Sequence, residues 1–155
     1  MTRRIALVAL LAALCAAACS KSVSREVSPD DAARLLIDRN WIDVWPESKD
    51  DRIHVYRFVP KMGGGVYQDR TIFQGEFELF RFKTRGRELE MFLPHTGDRV
   101  KTTYTIEKVT GPEPFDLKLT LAFSPRGPAT YYGMSREHDA TGELLEARLA
   151  ALSGR

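Results

Sequence analysis

Leu117-Lys118-Leu119-Thr120-Leu121-Ala122-Phe123 sets a large apolar side chain at every odd position and a small or polar one at every even position. A period of two belongs to a β-strand with one buried and one wet face. Outward from this stretch the same alternation recurs, and strands are expected over 41–45, 53–59, 66–73, 77–84, 88–93, 100–109, 117–123 and 130–135. Turn residues punctuate it at 46–51, 60–65, 85–86, 95–98, 111–114 and 125–128, where Gly, Pro, Asp and Asn-like residues collect. Connections this short join antiparallel neighbours, and no helix-length pattern interrupts the strands to carry a parallel crossover. The expected fold is all-β: an antiparallel up-and-down barrel of about eight strands, with a two-sheet sandwich as the alternative closure.

A helix is expected at each end of this body. Ser28-Pro29-Asp30-Asp31 places a Ser N-cap before a Pro at the first helical position, and acids follow at the positive end of the dipole. Ala32, Ala33, Leu35, Leu36 and Ile37 supply an apolar side, and poor helix formers stop the run near Asp38 to Asn40. Toward the C-terminus, Leu145, Leu149 and Leu152 recur at helical spacing within 141–152, with Gly154 beyond them. That helix is expected on the outside of the barrel.

Before Ser28 the chain reads as an address. Arg3 and Arg4 precede an uncharged run from Ile5 to Ala18 that ends in Ala16-Ala17-Ala18. The run would extend only about 21 Å as a helix, short of the roughly 30 Å hydrocarbon core, so it reads as a signal peptide over 1–18. The stretch Leu14-Cys15-Ala16-Ala17-Ala18-Cys19-Ser20 resembles a bacterial lipoprotein lipobox, with Ala16 where such boxes usually carry Leu. That resemblance implies cleavage before Cys19, acyl chains such as palmitate on Cys19, and a membrane anchor. The alternative is ordinary cleavage at the same bond, which would leave Cys19 as a lone exposed thiol in an oxidising compartment. Residues 19–27 then form a lipidated tether and 28–155 the folded domain. By resemblance to the sorting of such lipoproteins, Ser20 after the Cys implies the outer membrane of the bacterial cell envelope, facing the periplasm.

Composition narrows the function classes. The 155-residue chain is 43% hydrophobic and 28% charged, which is globular. Its formal charge of +2 comes wholly from Arg3 and Arg4: without them 21 basic residues face 21 acidic ones. A neutral body offers no basic surface for nucleic acid, so none is expected as a partner.

The search for chemistry returns little. His54, His95 and His138 carry no metal-site spacing, and His95 with Asp98 reads as a solvated turn. No G-x-S-x-G elbow surrounds Ser124, Ser135 or any other Ser, so no catalytic residue, metal or cofactor is expected and the chain is not read as an enzyme. Glu76, Glu78, Glu88 and Glu90 read as exposed cross-strand partners of Arg81, Lys83, Arg85 and Arg87. Gly63-Gly64-Gly65 lacks the G-K-S/T and helix of a phosphate loop and reads as a flexible hairpin tip, with a lid as a further role.

Trp41 at the start of the first strand, eight strands, and Arg136 just after the last together resemble the lipocalin family's layout. Trp41 stands at the Trp of the family's G-x-W motif, with Arg39 in place of its Gly, and Arg136 matches the Arg that packs across that Trp. The resemblance implies a lipocalin-like barrel, Trp41 buried with Arg136 near it, and a small apolar or lipid-like ligand. Phe58, Phe82, Met91, Tyr104, Leu119 and Tyr132 are the candidate ligand-binding residues, because a barrel of this size is either filled by side chains or holds one small ligand. Two functions stay open: an envelope lipoprotein that carries a small apolar molecule, and a filled barrel that binds an envelope protein as assembly factor or inhibitor, with Trp45, Tyr67 and the Gly63 to Gly65 tip as anchors.

Overall fold

The computed structural model describes residues 24–154. Its strands are β1 (Arg25–Glu26), β2 (Asn40–Ile42), β3 (Ile53–Val59), β4 (Gly64–Arg70), β5 (Gly75–Arg85), β6 (Glu88–Leu93), β7 (Asp98–Lys108), β8 (Leu117–Leu121) and β9 (Thr130–Gly133), with helices α1 (Pro29–Leu36) and α2 (Leu144–Ser153). From β2 to β9 each strand pairs antiparallel with the next, and β9 returns to β2, so the sheet closes as an up-and-down barrel rather than a sandwich. That last pairing has a single registered pair, Ile42 with Tyr132.

Strand stagger divides the long strands end to end. On β5, Gly75 to Phe80 pair with β4 and Arg81 to Arg85 with β6; on β7, Asp98 to Thr103 pair with β6 and Tyr104 to Lys108 with β8. The two-residue β1 lies on β7 beyond the end of β6, with Arg25 opposite Lys108. This corrects the expectation of a pattern-free tether up to Val27: Arg25 and Glu26 already belong to the folded body. Opposite charges line up across the outer face as expected at Lys83 with Glu90 and Arg85 with Glu88.

α1 closes one end of the barrel. Ser28 caps it by accepting a hydrogen bond from the Asp31 amide at 3.2 Å, and Ala32 and Leu36 are buried in the barrel core. Trp41 is fully buried and donates its indole N–H to the Leu36 carbonyl at 2.9 Å, fixing the helix end to the first barrel strand. The arginine over its ring is Arg39, at 6.0 Å, which also donates to the Met134 carbonyl; Arg136 is exposed. The expected Trp–Arg cover therefore exists, but Arg39, two residues upstream on the same edge, supplies it.

Two cores sit on opposite sides of the wall. Inside, Tyr56, Phe58, Phe80, Leu89, Met91, Tyr104, Leu119 and Tyr131 pack with Trp41 and α1. Outside, α2 lays Leu145 and Leu149 over Ile42, Ile53, Val55, Phe115 and Met134. Because β3 is covered on both faces, its sequence Ile53 to Val59 is apolar at odd and even positions alike.

The glycine triplet is no flexible tip. Gly63 ends a short 3-10 turn at φ +77°, but Gly64 and Gly65 are strand residues paired with β3, and Gly65 is paired with β5 as well. A Cβ on Gly65 would come within 2.4 Å of the Phe80 ring and 2.5 Å of the Arg57 carbonyl oxygen. Gly65 lets the Phe80 ring lie against the backbone, and Gly64 lets the Phe80 carbonyl approach, a packing role rather than that of a lid.

Leu119 is fully buried and faces Tyr131 and Ile106 across the ladders. Leu119→Ala should lower stability by about 2–5 kcal/mol through lost transfer energy and the residual cavity, read as a fall in the urea midpoint with an unchanged slope. A change below about 0.5 kcal/mol would show that the site collapses around the smaller side chain.

Candidate functional site

Five of the six candidate ligand residues lie on the barrel's inner face. Phe58, Met91, Tyr104 and Leu119 are fully buried, and Phe82 is partly buried against them. The rings pack on one another, with Phe58 edge-on to Phe80 at 5.4 Å and to Phe82 at 5.1 Å, and stacked on Tyr56 at 5.8 Å. These side chains belong to one buried cluster with Tyr56, Phe80 and Tyr131. Tyr132 is a correction: it lies outside the wall and stacks on Phe115 at 5.5 Å, while its neighbours Tyr131 and Gly133 face inward. Trp45 joins the same outer cluster, edge-on to Phe115 at 5.7 Å.

Polar residues gather instead at the end opposite α1. Cross-strand register on β3, β4 and β5 sets the inner face in rows: Phe58, Gly65 and Phe80 nearest the base, then Tyr56, Tyr67 and Glu78, then His54, Asp69 and Glu76 at the rim. Asp43, just past β2, completes the rim row by accepting hydrogen bonds from the His54 backbone N–H at 2.8 Å and pairing with its Nδ1 at 2.6 Å. The imidazole is thereby oriented, with Nε2 3.7 Å from Asp69 Oδ1. What faces that nitrogen is a carboxylate rather than a nucleophile, so the arrangement orders charge. Arg52 grips Asp69 at both oxygens and holds its carboxyl below the usual carboxylate range.

The loop between β8 and β9 plugs this end. Arg126 makes a bidentate pair with Glu78, at 2.6 and 3.1 Å, and its carbonyl accepts from the hydroxyls of Tyr56, Tyr131 and Ser124. Gly127, at φ +65°, lies so close to the tyrosines that a Cβ would fall 2.5 Å from the Tyr131 hydroxyl and 2.8 Å from that of Tyr67. Burial pushes the Tyr56 hydroxyl up to about 12 and raises those of Tyr67 and Tyr131 as well, so all three stay protonated donors over the physiological range. Glu78 is thus an inward partner of Arg126, not the exposed cross-strand residue expected.

Beside the plug an open cleft of about 710 Å³ runs between β5 and the β6–β7 turn, lined by Tyr67, Asp69, Glu76, Glu78, Pro94 and His95 among others. Tyr67 is only 7% exposed and its ring packs against Tyr56 at 4.9 Å. The next apolar residues of β5, Phe77 and Leu79, are 65% and 69% exposed at the same cleft. In the turn itself Asp98 accepts from the Thr96 hydroxyl at 2.6 Å, the local bond expected there.

Sequence reading missed this rim. Asp43 and His54 are 11 residues apart in no motif, and only the β2–β3 pairing brings them together. The one available signal was parity: His54 shares its face with Tyr56 and Phe58. The fold and rim define a closed eight-stranded antiparallel barrel with a packed interior and a polar, plugged mouth. Comparison with protein-family models, with curated proteins and with solved structures finds no match to this chain.

Proposed function

We propose that this chain is an envelope lipoprotein whose lipocalin-like barrel is a scaffold rather than a carrier, and that it binds an envelope protein through its mouth without catalysis. The filled interior carries this reading: the residues that would enclose an apolar ligand are packed against one another and the entrance is held by the β8–β9 loop. A barrel of eight strands has room for its own side chains or for one small ligand, and here the aromatic rows take that room.

The exit point of the tether supports the same reading. β1 and α1 both lie at the base, beside the ends of β7 and β3, and Ser24 follows Cys19 by five positions. Five residues reach at most about 18 Å, so an acylated Cys19 keeps the base near the bilayer and turns the mouth toward the periplasm. A mouth facing away from the membrane suits a protein partner better than uptake of a membrane lipid. Residues 1–18 as signal peptide and Cys19 as the lipidated residue lie outside the described residues.

Native mass spectrometry of the purified, unacylated domain tests the proposal. The expected result is a single species at the polypeptide mass, unchanged in Tyr104→Trp. A bound fatty acid or lipid that disappears in Tyr104→Trp would overturn it in favour of the carrier.

A further inference from the structure

The N-terminal half of β5 has one partner strand and one free edge. Gly75 to Phe80 pair with β4, while β6 pairs only from Arg81 onward and turns away after Leu93 into Pro94 and His95. Among the described residues no other backbone hydrogen bond covers Glu76 to Leu79. A free edge is a template for a further strand. This one opens into the mouth cleft rather than onto a bare surface, since residues 76 to 79 all line it.

The two faces of this edge differ in chemistry. Inward, Glu76 and Glu78 stand in the rows of Asp69 and Tyr67; outward, Phe77 and Leu79 are the exposed apolar residues. At the rim four carboxylates, Asp43, Asp69, Glu76 and Glu78, face two guanidinium groups, those of Arg52 and Arg126. Acids are in excess. Tyr67, 7% exposed, lines the same cleft.

We propose that the free edge of β5 takes an extended segment of a partner protein as an added strand, with basic side chains toward the acidic inner row and apolar ones over Phe77 and Leu79. Side chains of an added strand alternate between the two faces, so the segment is one in which Lys or Arg alternates with Val, Ile or Leu. Main-chain pairing supplies the docking, and the carboxylates select the charge. This rests on the protein-binding reading above and names the partner's chemistry.

The test is fluorescence anisotropy on full-length protein in a non-ionic detergent, with a labelled heptapeptide of alternating Lys and Val. The expected result is saturable binding, weakened at least tenfold in an alternating Glu–Val peptide and in a Lys–Val peptide N-methylated at alternate amides. Glu76→Gln, a change at an exposed residue with no fold role, should weaken it several-fold, and Phe77→Ser likewise. Absence of binding, equal affinity for the Glu–Val peptide, or indifference to N-methylation would overturn the proposal. Photocrosslinkers at Phe77 and at Arg148 on α2 separate the two levels. Capture of one envelope protein only from Arg148 would remove the edge site and leave the protein-binding reading standing, whereas lipid in the native mass spectrum would remove that reading first.

Discussion

Trp41→Ala is expected to destabilise the domain by about 3–5 kcal/mol, the range for emptying a large aromatic from a core, and to lower the melting temperature by roughly 10 °C or more. Three attachments are lost at once. The ring is fully buried against Gly133 of β9, the Arg39 guanidinium lies over it, and its N–H satisfies the Leu36 carbonyl at the end of α1. Trp41→Phe separates packing from hydrogen bonding: it keeps most of the ring but leaves a buried carbonyl without its donor, at about 1–3 kcal/mol. Urea unfolding of protein lacking residues 1–18 reads both. A loss under about 1 kcal/mol for Trp41→Ala would mean that α1 and β9 hold their places without the indole.

Cys19→Ser is expected to abolish acylation and to stop cleavage before residue 19, so that the protein accumulates as a precursor that keeps residues 1–18 and carries no acyl mass. Each buried acyl carbon contributes about 0.8 kcal/mol, so two or three chains hold the protein where none would. Fractionation and intact mass check it. A serine variant that stays with membranes and is still cut at the same bond would sink the lipoprotein proposal.

Legibility of the fold followed how many faces of a strand are wet. β6 was readable at its bounds, 88–93, because its outer face carries Glu88 and Glu90 and its inner face is Leu89, Met91 and Leu93. β9 was readable as a strand but not in its facing. Tyr131, Tyr132 and Met134 are all apolar or aromatic because Phe115 and α2 cover the outer face too, and this erased the parity that would have told Tyr131 from Tyr132. β1 has two residues and no period, and exists because β7 extends past β6. The glycine triplet was misread for a related reason: Gly-rich stretches look mobile in sequence, and only the position of the Phe80 ring explains Gly65.

The site was less legible than the fold. Glu78 alternates with Phe77 and Leu79 as an exposed charge would, but the apolar pair is the outward one and the carboxylate faces in. The partner that makes this tolerable, Arg126, lies 48 residues away in a Pro- and Gly-containing turn, where nothing local marks it as a plug. Interior candidates were found because large apolar residues on strands are buried in any barrel. Whether they enclose a space or fill it depends on ring-to-ring distances that no spacing rule contains.

A meander makes almost every strand pairing a neighbour's, so the chain can assemble most of its sheet through short loops. The exceptions are β1 on β7 and the return of β9 to β2, where Ile42 meets Tyr132 across 90 residues of chain, a closure whose entropic cost is about 4 kcal/mol. One registered pair cannot offset that. Ring closure depends on what is laid across the joint: Trp41 against Gly133, Arg39 reaching the Met134 carbonyl, and α2 packing over Ile42 and Met134 from outside. The barrel is therefore a ribbon zipped early along its length and buckled last. Native-state opening is expected to begin at that buckle, so hydrogen exchange at Asn40–Ile42 and Thr130–Gly133 should precede exchange in the β3–β4 hairpin.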